Sequence, residues 1–188
     1  MTLAMPIHLE TDRLILRPFE DADVAGLVAI LSDWEVTRWL SRNVPFPFRE
    51  ADGAGMIRQR RDDQAAGRGM AYGVFDKVTG AQLGGVRLFA LTGTAEIGYW
   101  FGRAAWGRGY ATEMLQAVVR ACFEHSAIEE LVAQTAADNI GSRRILEKAG
   151  FVYQGQTPEE YARCGHTHGC GEFFRLSKAH WFKQQEKT

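Results

Sequence analysis

The segment from Trp100 to Thr112 (WFGRAAWGRGYAT) has the residue types of an anion-binding site. A strand ends, a loop with Gly107 and Gly109 follows, and an amphipathic helix begins. The first N–H groups of a helix lack intrahelical partners, and the helix dipole places about half a positive charge beside them. Glycines let a phosphate approach the backbone, and arginine adds charge, although glycines that only shape a turn would give the same pattern. The predicted ligand-binding residues of this segment are Trp100, Phe101, Trp106, Gly107, Arg108, Gly109, Tyr110, Ala111 and Thr112.

Two better-known nucleotide motifs and one metal motif fit less well. No Gly-Lys-Ser/Thr follows the loop, and Thr112 occupies the third glycine position of the dinucleotide fingerprint G-x-G-x-x-G. The stretch CGHTHGC places four potential zinc ligands at every second residue, namely Cys164, His166, His168 and Cys170. Zinc sites usually take ligand pairs that converge from separate positions. We therefore expect an ordinary loop there, and no metal.

The composition limits the class of protein. A chain of 188 residues corresponds to one domain of ordinary size. Lys and Arg total 22 while Asp and Glu total 23, a net charge of −1 that disfavours a dedicated nucleic-acid binder. No apolar run approaches the length of a membrane span, and we expect no secretory signal. The three cysteines favour reduced thiols and a cytoplasmic location.

Hydrophobic periodicity predicts the elements that position these residues. The clearest helix spans 107–125, where apolar residues form one stripe at helical spacing. A second helix over 138–149 begins at a cap, Asp138 or Asn139, and stops at Gly150. Helices are also expected after Asp21 and over 50–67, and a polar tail over 178–188. The predicted strands are 9–19, 69–75, 81–89, 94–102, 131–135, 151–156 and 172–177, with a hairpin turn over 76–80. Helices interspersed with strands indicate a mixed α/β (α+β) domain.

Four phrases in this order carry a family resemblance: LETDRLILRPFEDAD, AEIGYWF, WGRGYATEMLQAVV and DNIGSRRILEKAGF. Together they resemble the GNAT superfamily of acetyl-CoA-dependent N-acyltransferases, and within it the RimJ/RimL-type branch of ribosomal-protein N-acetyltransferases. The resemblance covers residues 9–177, which we expect to form a single GNAT domain. It implies a central, strongly twisted, mostly antiparallel sheet flanked by helices. It also implies that strands 94–102 and 131–135 splay apart, with the pantetheine arm of acetyl-CoA between them.

The resemblance also implies roles for single residues on the thiol side. It places the pyrophosphate on residues 106–111, although Ala104 replaces the Gln or Arg that usually begins this loop. It places Asn139 and Ser142 beside the pantetheine and the sulfur. Many members carry a tyrosine acid in this helix, where the chain has Leu146. Ser142 is therefore the predicted proton donor or hydrogen-bond donor to the thiolate, unless Asn139 and Ser142 only shape the helix start.

The amine side is less well marked in the sequence. Glu96 is the predicted general base, in a strand where the superfamily often has a glutamate. It shares a face with Gly98 and Trp100 unless a bulge intervenes, and an ordinary surface glutamate is the alternative. The aromatic residues around Pro45 and Pro47 predict either a rim over the acyl group or a hydrophobic mini-core; they are Trp34, Trp39, Phe46 and Phe48.

The predicted function is acetyl-CoA-dependent N-acetyl transfer to a primary amine by direct attack in a ternary complex. The acceptor is a protein N-terminal α-amine or a small-molecule amine. At pH 7, deprotonation costs ~1 kcal/mol for an α-amine of pKa ~7.8 and ~4.6 kcal/mol for a lysine of pKa ~10.4, which weakly favours α-amines. Alternatives are a non-catalytic acyl-CoA-binding or sensing module on the same fold, and a metal-dependent regulatory protein. We expect no nucleic acid or membrane partner, and a homodimer is left open.

Overall fold

Eight strands form a continuous sheet in the part of the chain that the structure, a computed structural model, describes: residues 4–157, 163 and 171–186. Their bounds are β1 (Leu9–Glu10), β2 (Leu14–Arg17), β3 (Met70–Asp76), β4 (Gln82–Leu88), β5 (Thr92–Phe101), β6 (Ala127–Ala136), β7 (Val152–Thr157) and β8 (Gly171–Ser177). Their order is β1-β2-β3-β4-β5-β6-β8-β7. Neighbours in this sheet are antiparallel except β5 and β6, which are parallel. The prediction of a mixed fold around a mostly antiparallel sheet is confirmed.

Helices cover both faces of the sheet. They are α1 (Val24–Leu31), α2 (Trp34–Thr37), α3 (Glu50–Ala65), α4 (Tyr110–His125), α5 (Ile140–Lys148) and α6 (Lys178–Gln185). Successive side chains of β5 alternate between two hydrophobic clusters. Ile97 and Phe101 belong to the main core, formed with α4, α5 and α6, whereas Trp100 packs on the second core, formed with α1, α2 and α3. The sheet is therefore covered on both sides, as a mixed domain requires.

The amphipathic helix α4 forms the centre of the main core. The predicted apolar stripe has seven residues, of which the first, Ala111, is partly buried against the main core. The other six are buried: Met114, Leu115, Val118, Val119, Cys122 and Phe123. The helix starts at Tyr110 rather than at residue 107, because Gly107 and Gly109 adopt positive φ angles that a helix cannot contain. The glycines thus end the loop and set where the helix N-terminus lies.

Two of the predicted strands differ clearly from the structure, whereas the bounds of the others agree within two residues at each end. The strand expected over 9–19 is broken, because Thr11 forms a turn: its amide donates to the Leu14 carbonyl (3.0 Å), and its hydroxyl accepts from the Leu14 amide (2.9 Å). The strand expected over 131–135 starts earlier, at Ala127. Its first half contains Glu129 and Glu130, so the apolar pattern of a strand is weak there. In the structure these residues form ion pairs with Lys178 and Arg175 respectively.

Residues 178–185, at the start of the expected polar tail, are folded. They form α6, which begins where the Ser177 hydroxyl accepts a hydrogen bond from the His180 amide (3.2 Å). Trp181 is buried in the main core, with its ring centroid 5.7 Å from that of Phe123. One buried aromatic residue in a polar segment gives too little periodicity to predict a helix. The segment is therefore part of the folded domain.

No helix among the described residues combines the length and the apolar character that a membrane crossing requires. The cytoplasmic location expected from the cysteines stays a prediction.

Candidate active site

The parallel pairing of β5 with β6 covers only the first part of each strand. It runs from Thr92 opposite Ala127 to Glu96 opposite Val132. Beyond that point, among the described residues, 97–101 of β5 pair with β4, and 133–136 of β6 pair with β8. The two strands therefore splay apart, as predicted. The V-shaped gap opens toward the loop before α4 and the start of α5.

Backbone groups of β5 line one side of this gap. Successive residues of an antiparallel strand direct their N–H and C=O groups alternately toward and away from the partner strand. The Glu96 carbonyl accepts from the Phe89 amide (3.0 Å), and the Gly102 amide donates to the Leu83 carbonyl (2.9 Å). Even-numbered residues of this stretch therefore bond toward β4. It follows that Ile97 and Tyr99 direct their backbone groups into the gap, where an extended ligand can bind as an added strand.

The loop before α4 lies at the open end of the gap. Gly107 (φ 70°) and Gly109 (φ 81°) both have the left-handed conformation that favours glycine. The first intrahelical bond is made by the Glu113 amide to the Gly109 carbonyl (3.1 Å). The amides of residues 110–112 precede that bond, so they are the orphan donors of the helix N-terminus. Together with the helix dipole, they form an anion-binding site.

The side chains of the loop are tied in different directions. The Trp106 Nε1 donates to the Phe101 carbonyl (2.8 Å), which braces the loop against the end of β5. Arg103 pairs with Asp33 (2.6 Å), so it is engaged on the α2 side. Arg108 is exposed and lies with its guanidinium 5.0 Å from the Tyr110 ring. Of the two arginines in this loop, Arg108 is therefore better placed to contact an anion at the helix N-terminus.

The first turn of α5 carries the predicted thiol-side residues. Asn139 Oδ1 accepts from the Ser142 amide (3.1 Å), which is the N-cap that was weighed against a catalytic role. Ser142 Oγ lies 3.0 Å from the hydroxyl of Tyr99, which also lies 3.3 Å from the Ser142 carbonyl. Burial raises the pKa of the Tyr99 hydroxyl, and the hydrogen bond to Ser142 lowers it by less. The tyrosine therefore stays protonated and can donate.

Glu96 and Trp100 lie on the other face of β5. The β4–β5 register is continuous from Ile97 to Phe101, so no bulge breaks the predicted alternation there. Glu96 is exposed on the face opposite the Tyr99 side chain. The Trp100 ring stacks on Phe19, with centroids 6.4 Å apart, and its backbone bonds toward β4. Trp100 therefore packs the second core rather than lining the gap.

The predicted acceptor-side aromatics divide between a surface pair and the core. Trp34 and Phe46 are exposed and meet edge to face, with centroids 4.9 Å apart. Trp39 is half-buried, with the Arg38 guanidinium 4.9 Å from its ring. Phe48 is buried in the second core. The mini-core alternative thus holds for Phe48, and a rim over the acyl group stays a prediction for the exposed pair.

Two polar contacts hold this aromatic segment in place. Asp33 caps α2 through the Glu35 amide (3.0 Å) and pairs with Arg103 of the loop before α4. Arg163, from the connection between β7 and β8, donates to the carbonyls of Val44 (2.6 Å) and Arg42 (3.3 Å). The segment is therefore anchored to the loop before α4 on one side and to Arg163 on the other.

No cluster of metal-binding side chains occurs among the residues that the structure describes. Cys164, His166, His168 and Cys170 lie outside those residues.

Sequence reasoning missed two residues that the structure brings to the site. An aromatic residue in a strand, such as Tyr99, is usually a packing residue, yet its hydroxyl lies 3.0 Å from Ser142 Oγ across 43 positions of sequence. Arg13 belongs to a phrase that carries the resemblance, but the sequence does not connect it with the donor loop. In the structure its guanidinium donates to the Arg108 carbonyl (3.0 Å). Neither contact leaves a local pattern in the sequence, because each joins segments that are far apart.

Comparisons with known proteins agree with this geometry. The family model described as acetyltransferase (GNAT) domain matches residues 13–152. The uncharacterized N-acetyltransferase YoaA of Bacillus subtilis (strain 168) is 33% identical over 150 residues, which are 78% of this chain and 84% of that protein. The uncharacterized N-acetyltransferase p20 of Bacillus licheniformis is 30% identical over 151 residues, 78% of this chain and 83% of that protein.

A solved structure extends the agreement to the fold. RimL, a ribosomal L7/L12 alpha-N-protein acetyltransferase in complex with coenzyme A, superposes with a TM-score of 0.76. The match covers 92% of this chain and 97% of RimL at 16% identity, which supports the fold alone. The family model, the two relatives and the splayed sheet with its helix N-terminus lead to one conclusion: the chain belongs to the GNAT acetyltransferase family and is an N-acetyltransferase.

Proposed function

We propose that the protein transfers an acetyl group from acetyl-CoA to a primary amine by direct attack in a ternary complex. The observation that carries the proposal is the V-shaped gap between β5 and β6 with the N-terminus of α4 at its open end. A CoA thioester combines an anionic diphosphate with a long amide-bearing arm, so it matches both parts. The coenzyme A bound to RimL, a protein of the same fold, supports this choice.

The donor is held mainly by backbone groups in this proposal. The diphosphate binds the orphan amides at the start of α4, with Arg108 beside them. The pantetheine arm adds to the Ile97 and Tyr99 backbone, as an extra strand adds to a sheet edge. Asn139 uses its Oδ1 as a helix cap, so it would meet the arm through its Nδ2 group. The full set of donor-binding residues is Phe101, Trp106, Gly107, Arg108, Gly109, Tyr110, Ala111, Thr112, Asn139 and Ser142, and Trp100 contributes through packing.

The reaction forms a C–N bond and breaks a C–S bond. The neutral amine attacks the thioester carbonyl, and the carbonyl oxygen takes the negative charge of the tetrahedral intermediate. Backbone N–H groups of β5 that face the gap are placed to donate to this oxyanion. Collapse of the intermediate expels the CoA thiolate, and the nitrogen loses its extra proton. Holding both substrates in one site supplies much of the rate, because attack becomes effectively unimolecular.

Ser142 assists the departure of the thiolate. A thiol has a pKa of about 8.5, well below that of an alcohol, so a complete proton transfer from serine to the thiolate is unfavourable in free energy. We therefore assign Ser142 a hydrogen bond to the sulfur as negative charge develops. The Tyr99 hydroxyl stays protonated and lies 3.0 Å from Ser142 Oγ. In this proposal Tyr99 is the donor of that pair, which leaves the serine proton directed to the ligand. The thiolate takes its proton from water.

Glu96 receives the proton that the amine loses. Its side chain lies on the face of β5 opposite Tyr99, and the unpaired gap begins at the next residue. An amine that enters from the face of Trp34, Trp39 and Phe46 would thus meet the thioester from the side of Glu96, with Ser142 on the other side. A base and a hydrogen-bond donor on opposite faces of the reacting carbon suit direct transfer.

The proposal is tested with a panel of amines, acetyl-CoA and a measurement of free thiol release. The panel pairs α-amino peptides and small amines with lysine-type amines of matched size. We expect α-amines to react at least tenfold faster at pH 7, because their deprotonation costs less. Glu96→Gln should lower kcat by about 100-fold, the lower end for a lost general base. The exposed Glu129→Gln variant is the control. No thiol release with any amine would contradict the proposal.

A further inference from the structure

The turn between β1 and β2 contacts the donor loop although it is nearly 100 residues away in sequence. This turn contains Thr11 and Arg13, part of the phrase LETDRLILRP that has no role in the reaction described so far. Its partners are the loop residue Arg108 and the α4 residue Glu113. The contact joins the N-terminal hairpin to the helix end that receives the diphosphate.

Most of these contacts converge on the carboxylate of Glu113. Arg13 Nε and Nη2 both lie 2.6 Å from Glu113 Oε2. The Arg13 amide (3.0 Å) and the Thr11 hydroxyl (2.5 Å) donate to Oε1. Burial raises the pKa of Glu113, but the hydrogen bonds from Thr11 and Arg13, together with the Arg13 charge, lower it by more, so the net shift is downward. The carboxylate is thus ionised and fully paired.

Arg13 also reaches the loop itself. Its Nη1 donates to the Arg108 carbonyl (3.0 Å), and its guanidinium lies 4.6 Å from the centre of the Tyr110 ring. A Cβ atom on Gly109 would lie 3.3 Å from Arg13 Nη2. The Tyr110 hydroxyl in turn donates to Asp76 (3.1 Å). One side chain therefore contacts residues 108 and 110, and would crowd a side chain at residue 109, at the point where the loop becomes a helix.

The charges around the first turn explain why such a side chain is needed. A carboxylate near a helix N-terminus stabilises the empty helix, but it repels a diphosphate that binds the same turn. Glu113 lies in the first turn of α4 and would have this effect if its charge were unbalanced. The Arg13 guanidinium balances it in a forked ion pair. A carbonyl fixed by Nη1 also keeps the adjoining loop amides directed outward.

We propose that Arg13 is a positioning residue for donor binding, which fixes the Arg108 carbonyl and balances Glu113 so that the loop accepts a diphosphate. The inference rests on the proposed function in one respect, namely that the diphosphate of acetyl-CoA binds this loop. Arg13 acts through the loop and Glu113 and takes no part in acyl transfer. Its effect must therefore depend on the phosphates of the donor and not on the thioester.

The test compares two acetyl donors with Arg13→Gln: acetyl-CoA and S-acetylpantetheine, which has the same thioester arm without the diphosphate. We expect CoA binding by calorimetry to weaken at least tenfold and the KM for acetyl-CoA to rise in parallel, with kcat within twofold. With S-acetylpantetheine, kcat/KM should stay within twofold of the wild-type value. Adding Glu113→Gln should restore at least threefold of the lost CoA affinity, because it removes the unbalanced charge.

Lys77→Gln is the matched control, because Lys77 is a cation beside the same turn that pairs with Glu10 (3.0 Å) instead of the loop. It should leave CoA affinity within twofold. If Arg13→Gln does not fold, Arg13→Lys decides: it keeps the charge but cannot fork, so it should lose at least threefold with acetyl-CoA only.

Equal losses with both donors, or unchanged CoA affinity, would overturn the inference while the proposed function stands. A wild-type protein that does not bind CoA would overturn both.

Discussion

The donor half and the acceptor half of the proposed site are built in different ways. The donor half consists of the β5 edge, the loop before α4 and two helix starts, and it presents mainly backbone N–H groups. The acceptor half consists of Trp34, Trp39 and Phe46, and it presents side chains held by contacts from Arg103 and Arg163. Backbone groups suit a donor that every reaction shares. Side chains can differ with the acceptor, and three of the four recognisable phrases of the sequence include parts of the donor half.

The strongest test of this division is a charge placed in the donor half. Gly109→Glu should weaken CoA binding by calorimetry at least 100-fold, because it sets a carboxylate against Arg13 at the helix start and strains a residue with φ 81°. Gly93→Glu is the matched control, since Gly93 has φ 61°, is open to solvent and lies at the far end of β5. Similar CoA affinities for the two variants would show that the loop does not bind the diphosphate.

A smaller effect is expected where the two halves meet, at Ser142. A hydrogen bond to a charged group contributes about 1.5–3 kcal/mol, so Ser142→Ala should lower kcat by about 10- to 100-fold and leave CoA affinity within threefold. Tyr99→Phe should lower kcat by about 3- to 10-fold, because the serine hydroxyl remains but is no longer oriented. The exposed Tyr153→Phe is its control. Turnover within twofold of wild type for Ser142→Ala would exclude a role for this hydroxyl in the reaction.

The smallest effect is expected in the acceptor half. Asp33→Asn retains the Oδ1 cap of α2 and removes the charge that pairs with Arg103. The KM for the amine should rise about two- to fivefold, because the aromatic segment loses one anchor, while CoA affinity stays within twofold. Asp21→Asn, which breaks an exposed pair with Arg61, should change neither constant. A larger effect of Asp33→Asn on CoA affinity than on the amine would show that the two halves are not separable.

The sequence predicts the fold well where patterns are local. The apolar stripe of α4, the turn over 76–80 and the stop at Gly150 all follow from spacing or from one residue's conformational preference. It fails where tertiary contacts decide. Glu129 and Glu130 make the start of β6 look polar in sequence, and their ion-pair partners, Lys178 and Arg175, lie in later segments of the chain. Thr11 breaks the first strand through a side-chain hydrogen bond that competes with strand pairing.

The candidate site divides in the same way. The glycine loop and the Asn139–Ser142 turn are contiguous, so the sequence indicates them directly. Tyr99 and Arg13 enter the site only because the sheet and the hairpin bring them there. Trp100 shows the reverse case: it lies next to the loop in sequence, yet strand alternation directs its ring into the second core. Proximity in sequence identifies a strand edge, but the side-chain face requires the register.

The burial of Trp181 against Phe123 has a practical consequence for where this domain ends. The family resemblance covers residues 9–177, and a fragment designed on it would end at residue 177. Such a fragment would lack an indole that fills space beneath α4, and removing a buried tryptophan side chain costs about 3–5 kcal/mol. That loss is a large share of the stability of a typical domain. The last helix therefore completes the core beneath α4, and the minimal folding unit includes this helix.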